Sequence, residues 1–347
     1  MYIKKILITI VLLGLIVAGY FAYFVYSAMF KPNTAFNNES AYIYIQTKAS
    51  YNDVREQLEP LLLDIDKFDA LAKQKKYTTN IKAGRYIVKK GMNNNDIINS
   101  IRSNNIPITI SFNNQETIEK LAGRISLQIE SDSVSLVNAM LDKTFLAENN
   151  FTTETALGMY IPNSYEFFWN TNAEQFRERM LKEYKRFWTE NRLEKAISVG
   201  LKPSEVVTLA SIVYEESKKA EEQPIVAGVY LNRMKIGMPL QADPTIKFAA
   251  YQLPKYKGTV IRRVLNVHKE IDSPYNTYKY AGLPPGPITM PDVSAIDAVL
   301  NYKKHNYYYF AADASRLGYH KFARTLSQHN NNASAYQRYL SSQGIRK

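Results

Sequence analysis

Cysteine is absent from the chain, which excludes a disulfide framework, a thiolate nucleophile and any cysteine metal site. Histidine is scarce: the four residues are His268, His305, His320 and His329, and no two stand at zinc-ligand spacing. No metal and no cofactor are therefore expected. There is no internal repeat, and no low-complexity segment beyond short asparagine clusters such as 330–332. Acidic residues are outnumbered, 32 against 44 Lys and Arg, for a formal charge of +12. That excess suits an anionic neighbour, either phospholipid head groups or an acidic polymer. The cations are scattered rather than gathered in a stripe and no nucleic-acid motif is present, so nucleic acid is not an expected partner. Tyrosine, by contrast, is abundant at 26 residues, and an apolar share of 46% over 347 residues allows a sizeable core and two or more domains.

Long apolar runs are missing with one exception. Lys4 and Lys5 precede an uncharged stretch over 6–30 that Lys31 ends. Its 25 residues exceed the roughly 20 that span a bilayer as a helix, and no small-x-small cleavage site follows. The expectation is a retained single-pass anchor over 1–31, with the lysine-flanked N-terminus cytoplasmic and the rest extracytoplasmic.

Beyond a polar linker over 32–40, the pattern predicts a mixed α+β chain. Residues 41–45 alternate as a strand, 51–63 and 66–76 read as helices, 81–88 as a strand and 96–102 as a helix, closing a small α+β unit over 41–106. The larger remainder, 107–347 with a core over 155–340, opens with a strand over 106–112. Helices follow over 115–128, 132–141 and 143–149, then one long helix over 173–198 whose Phe176, Met180, Tyr184, Phe187 and Leu193 form a buried face. A strand-like aromatic run over 307–312 and a closing helix over 333–340 complete it.

The densest chemistry lies over 205–247. Pro203 and Ser204 start a helix expected over 204–219, with Val206, Leu209 and Val213 on one stripe whose next position is Glu216. A carboxyl on an apolar stripe loses solvation of its charged form, which raises its pKa and suits a proton donor. Its neighbour Glu215 is turned away by about 100°. The bland alternative is that Glu216 ends the helix in an ion pair with Lys219 or Arg233. A second helix after Pro224 delivers Asn232, Arg233 and Met234. Three Pro- and Gly-rich loops follow, over 237–245, 273–278 and 282–288, rigid and dense in hydrogen-bonding groups beside aromatic faces, as sugar-binding surfaces are.

These strings, Leu-Ala-Ser-Ile-Val-x-x-Glu over 209–216, Met-Pro-Leu-Gln-x-Asp-Pro-Thr over 238–245, Ser-Pro-Tyr-Asn-Thr-Tyr over 273–278 and Gly-Leu-Pro-Pro-Gly-Pro-Ile over 282–288, closely resemble those of the MltG (YceG-like) endolytic murein transglycosylases. The resemblance implies a lyase that cuts the MurNAc–GlcNAc bond of nascent peptidoglycan strands and leaves 1,6-anhydro-MurNAc ends. Glu216 falls on the catalytic glutamate. By the same resemblance Glu222, Asn232, Gln241, Asp243, Thr245, Tyr275, Asn276 and Tyr278 are candidates to surround the cleft, although Asn276 and Asp243 can equally serve only to hold turns. The unit over 41–106 resembles the family's LysM-like subdomain, and work beside penicillin-binding proteins or other wall-synthesis machinery is a further implication. Departures are Tyr214 where many members carry an acid, Asn163 and Ser164 where they carry Asp-Thr, and Gln328 in place of a glutamate. Two other readings remain open: a hydrolase pairing Glu216 with Asp243 or Glu222, and a non-catalytic, membrane-anchored wall-binding scaffold.

Overall fold

The computed structural model describes residues 2–256 and 258–344. The chain divides into two compact units, one made of Met1–Ile110, Gln128–Ser131 and Tyr165–Asn172, the other of Ser111–Leu127, Asp132–Ser164 and Ala173–Lys347.

The first unit begins with helix α1, Tyr2–Phe30, which is long and apolar enough to cross a membrane. At 1.5 Å per residue it is about 43 Å long, more than the roughly 30 Å of a hydrocarbon core. Its last turns are not bare: Ser27 and Ala28 are buried, and the Ala28 carbonyl accepts a bond from Asn94 Nδ2 at 2.8 Å. Strand β1 (Ser40–Ile45), helices α2 (Tyr51–Leu58) and α3 (Ile65–Gln74), and strand β2 (Gly84–Lys89) follow, then α4 (Asn94–Ser103). β1 and β2 pair antiparallel, with Ser40 opposite Lys89 and Ile45 opposite Gly84. Ile43, Ile45, Val54, Leu58, Phe68, Val88, Ile97 and Ile101 meet beneath that ribbon as one core. The helix starts are local: Ser50, Asp64 and Asn93 each accept a bond from the backbone N–H three residues on. The segment read as a linker is woven in at its beginning. Asn33 is buried, its Nδ2 donates to Asp64 O and Asn94 Oδ1, and Pro32 and Thr34 form bridges with Asn93 and Leu62.

Strand β3 (Pro107–Phe112) pairs with β4 (Asn163–Phe168). In the second unit come α5 (Ile118–Ser126), α6 (Ser133–Met140), α7 (Lys143–Glu148), α8 (Ala173–Phe187) and α9 (Glu190–Ser198), then α10 (Pro203–Glu216), α11 (Gln223–Lys235), α12 (Asp243–Tyr251), the short α13 (Asn266–Lys269) and α14 (Val293–Leu300). The hairpin of β5 (Tyr309–Ala312) and β6 (His320–Ala323), and helix α15 (Leu326–Ser342), close the chain.

Four differences from the sequence pattern have physical causes. The helix expected over 173–198 is two, because Thr189 turns extended and caps α9 by accepting the Arg192 N–H. Helix α10 stops at Glu216, not near 219: Ser217 is extended, and its hydroxyl is held by Glu222. Helix α12 forms inside what read as a rigid loop, since Pro244 at its start already has a helical φ. Helix α15 starts at Leu326, well before 333, because Thr325 caps it.

Helix α10 organises the second unit. Every residue from Val206 to Val213 is buried, so the helix is not a surface helix with one apolar stripe but a central one, packed by α9, α11, α12 and α14. Its polar side chains are satisfied inside: Thr208 Oγ1 donates to Ser204 O, and Ser211 Oγ accepts the Ile288 N–H at 3.0 Å. That last bond ties the Pro-Gly-rich loop over 282–288 to the core. Gly286 is the tight point, since a methyl there would come within 2.0 Å of the Glu154 carbonyl oxygen. Gly286→Ala is expected to cost about 3 kcal/mol of folding stability, read by chemical denaturation; an unchanged midpoint would mean that the loop is free to shift.

Candidate active site

Glu216 is the last residue of α10, half-buried at the wall of a cleft of about 350 Å³. The other walls come from Tyr230 and Arg233 on α11, Gln241 in the turn before α12, Asp243 at the start of that helix, Tyr278, the strand residues 309–312, and His320, Leu326 and His329.

The carboxyl of Glu216 accepts a hydrogen bond from Tyr230 Oη at 2.9 Å. Burial pushes its pKa up to about 7, and the nearby Asp243 adds to this; the Tyr230 bond, Arg233 and Lys247 oppose it. Its place at a helix C-terminus disfavours a negative charge as well. The result is a carboxyl that exchanges its proton near neutrality, the requirement for acting as acid and then as base. Tyr230, itself buried, has its pKa raised far above the ordinary value by burial and by Glu216, so it remains a donor.

The ion-pair alternative for Glu216 is not what forms. Arg233 donates from Nε to Tyr308 O and from Nη1 to Leu240 O, both at 2.6 Å, and the Lys219 ammonium sits 5.3 Å from the centre of the Tyr319 ring. Among the described residues neither makes a salt bridge to Glu216. Asp243 accepts the Tyr278 hydroxyl at 2.6 Å, and burial with that bond raises the tyrosine's pKa. Gln241 holds a left-handed φ of 47°, with its N–H on Thr277 O. Such a backbone in a non-glycine residue is sustained only by its surroundings.

The sequence-derived candidates therefore separate. Glu216, Gln241, Asp243 and Tyr278 line the cleft together. Glu222 lies behind it: buried, it accepts Ser217 Oγ at 3.0 Å, the His320 N–H at 2.7 Å and His320 Nδ1 at 3.0 Å, and so fixes a ring that faces the cleft. Asn276 is fully buried, donates to Lys269 O and Ile271 O, and accepts the Tyr278 N–H, so it positions Tyr278 rather than meeting the cleft. Thr245, also fully buried, donates to Ala242 O and shares a bond with Thr277 Oγ1. Tyr275 packs on Phe248, ring centres 4.6 Å apart. Asn232 points away, its amide on His305 O and Tyr307 O, because two residues on from Tyr230 is about 200° around the helix.

Tyr230 is the residue the sequence reading passed over. It stands three before Arg233, which places both on one face of α11; that spacing was the available signal. The aromatic run over 307–312 was visible, but that its β5 part walls the cleft was not. His329 also lines it, stacked 5.5 Å from Tyr309, with a buried Nδ1 that has no hydrogen-bond partner among the described residues. Burial and Arg233 hold its pKa below the ordinary value.

Tyr230→Phe removes a bond that favours the ionised carboxyl. Glu216 should then titrate higher, by roughly one pH unit, followed by the pH dependence of its side-chain carboxyl carbon resonance; an unmoved titration would show that the Tyr230 bond does not set its acidity.

Known proteins resemble this chain over most of its length. The family model described as the YceG-like family matches residues 43–335. An endolytic murein transglycosylase of Bacillus subtilis is 30% identical over 287 residues, 77% of this chain and 75% of that protein. One from Streptococcus pneumoniae is 27% identical over 301 residues, 78% of this chain but 53% of the relative, so the aligned part spans about half of the pneumococcal protein's length. A 2.6 Å crystal structure of a yceG-like protein from Listeria monocytogenes superposes with a TM-score of 0.56 at 27% identity, over 85% of this chain and 99% of that one.

Proposed function

The chain belongs to the YceG-like family, and from that premise we propose that it is an endolytic murein transglycosylase with Glu216 as its single acid and base. The observation that carries this reading is the pairing of Glu216 with Tyr230 in a cleft that brings its carboxyl to about pH 7.

In the proposed reaction the protonated Glu216 gives its proton to the oxygen between MurNAc C1 and GlcNAc, and the C1–O bond breaks. The carboxylate so formed takes the proton of the MurNAc 6-hydroxyl as O6 bonds to C1. No water is consumed, and the strand ends in a 1,6-anhydro sugar. Asp243, steadied by Tyr278, supplies negative charge facing the oxocarbenium-like carbon. Phe310 and Tyr309 offer ring faces to the sugar, and Glu222 orients His320 toward it. Of the two carboxyls a hydrolase could pair with Glu216, Glu222 lies behind the cleft, held by Ser217 and His320, whereas Asp243 lines it, so the chemistry of the strand ends decides between the two routes.

Helix α1 suits a single-pass anchor, with the lysines at its start keeping that end cytoplasmic and the chain that follows it outside. The β-α-α-β order of the first unit suits a LysM-like glycan-holding role, and proximity to penicillin-binding proteins accords with an anchored enzyme acting on new strands.

Digestion of uncross-linked peptidoglycan strands by the full chain tests the proposal, with mass analysis of the ends. Ends about 18 Da lighter than hydrolytic ones are expected. Reducing ends would assign a hydrolase, and intact strands that remain bound would assign a scaffold.

A further inference from the structure

A second, larger groove of about 620 Å³ opens beside the catalytic cleft, and it is built differently. The two share their boundary in the chain: Glu216 and Asp243 line the first, while Glu215 and Pro244 line the second. One wall is a single face of α12, where Pro244, Lys247, Phe248 and Tyr251 recur at steps of three, one and three. A second wall is the N-terminal end of α5, with Glu116 and the capping Thr117 just before the helix and Lys120 in its first turn.

The groove carries charges of both signs beside exposed rings. Lys120 pairs with Glu116, and Lys218 with Glu215. Lys247, half-buried, has no carboxylate partner among the described residues and acts electrostatically on Glu216. Tyr251 is 43% exposed and its hydroxyl oxygen accepts the Ile261 N–H at 3.1 Å, which anchors the side chain and leaves a ring face and the O–H proton to a ligand. A plain sugar carries no charge for Lys247 to meet. A short peptide with free carboxylates supplies anions for Lys247 and aliphatic surface for Tyr251 and Phe248.

Resting on the transglycosylase reading above, we propose that this groove receives the carboxylate-bearing peptide stem of the MurNAc unit bound at Glu216, with Lys247 as its anion partner and Tyr251 as its platform. Peptide-bearing strands are then the preferred substrate, and strands stripped of peptide are held through the catalytic cleft alone.

The test uses the full chain in nanodiscs with Glu216→Gln to prevent turnover, and two probes: uncross-linked strands with their peptides, and the same strands stripped by amidase with the freed lactyl carboxylates then capped as methylamides, so that no anion remains. Peptide-bearing strands should bind about tenfold tighter, and Lys247→Met or Tyr251→Ala should each erase most of that advantage while leaving the affinity for stripped strands unchanged. The unchanged affinity also certifies that the variants fold. Equal binding of both probes, or a Lys247→Met variant that keeps the preference, overturns the groove's assignment and leaves the transglycosylase reading standing. If Tyr251→Ala weakens stripped strands as much as peptide-bearing ones, the groove holds sugars instead. Failure of both probes to bind at all removes both readings.

Discussion

Glu216→Gln is expected to lower strand cleavage by about 10³-fold or more, to leave strand binding intact, and to raise thermal stability above neutral pH. The first part follows from the loss of the only group proposed to give and take the proton. The second follows because an amide of the same shape still accepts the Tyr230 hydroxyl. The third comes from linkage. A carboxyl raised from 4.5 to about 7 on folding binds its proton more tightly in the folded chain than in the unfolded one. The folded form pays nothing for it below the unfolded value. It loses stability as pH climbs from about 4.5 to about 7, and carries the whole cost above that. The shift corresponds to at most roughly 3 kcal/mol, and the cleft's contact with solvent reduces it to about 2. Glutamine removes that cost. Melting temperatures of both forms should therefore diverge at pH 8 and converge at pH 5; an equal difference at the two pH values would mean that Glu216 does not titrate in this range.

The second large effect belongs to Arg233. Arg233 is 7% exposed, and its guanidinium donates to Leu240 O and Tyr308 O, the carbonyls just before the cleft residues Gln241 and Tyr309. One side chain thus ties two walls of the cleft to α11. Arg233→Met leaves two carbonyls without this donor, each costing about 1–3 kcal/mol, for a loss near 4 kcal/mol in all. Arg233→Lys keeps the charge but not the forked geometry and should lose roughly half as much. Urea denaturation of the two variants ranks them. If Arg233→Met unfolds at the wild-type midpoint, the clamp is not structural. Because Arg233 also opposes the raised pKa of Glu216, the methionine variant should in addition titrate Glu216 at higher pH.

How far the sequence alone reached can be judged at particular residues. Glu216 was picked by its place after Val206, Leu209 and Val213, and the cleft does contain it. Yet the reason for the stripe was different: α10 is enclosed on all sides, so the stripe's direction carried less information than its end point. What distinguishes Glu216 is that the helix stops there, at Ser217, a stop written by Glu222 five residues later. Local periodicity cannot see such a bond. The same limit explains α8 and α9, whose shared apolar spacing hid the cap at Thr189, and α12, whose Pro-rich start read as a loop. Asn276 and Thr245 sit among residues that line the cleft in sequence and stand behind them in space, because adjacent positions in a turn face different ways.

The sequence by itself determined the absence of thiol chemistry, the apolar helix at the N-terminus, most helix starts, the mixed helix-and-strand character and the glutamate at the centre. These depend on composition, on apolar spacing and on capping residues within a few positions of each other, all of which are short-range. Only the tertiary structure decided which groups meet that glutamate. Tyr230, Arg233, β5, His320 and His329 converge on it from up to about a hundred residues away, and the acidity of Glu216 is a property of that enclosure, since desolvation exists only once distant segments have closed around the carboxyl.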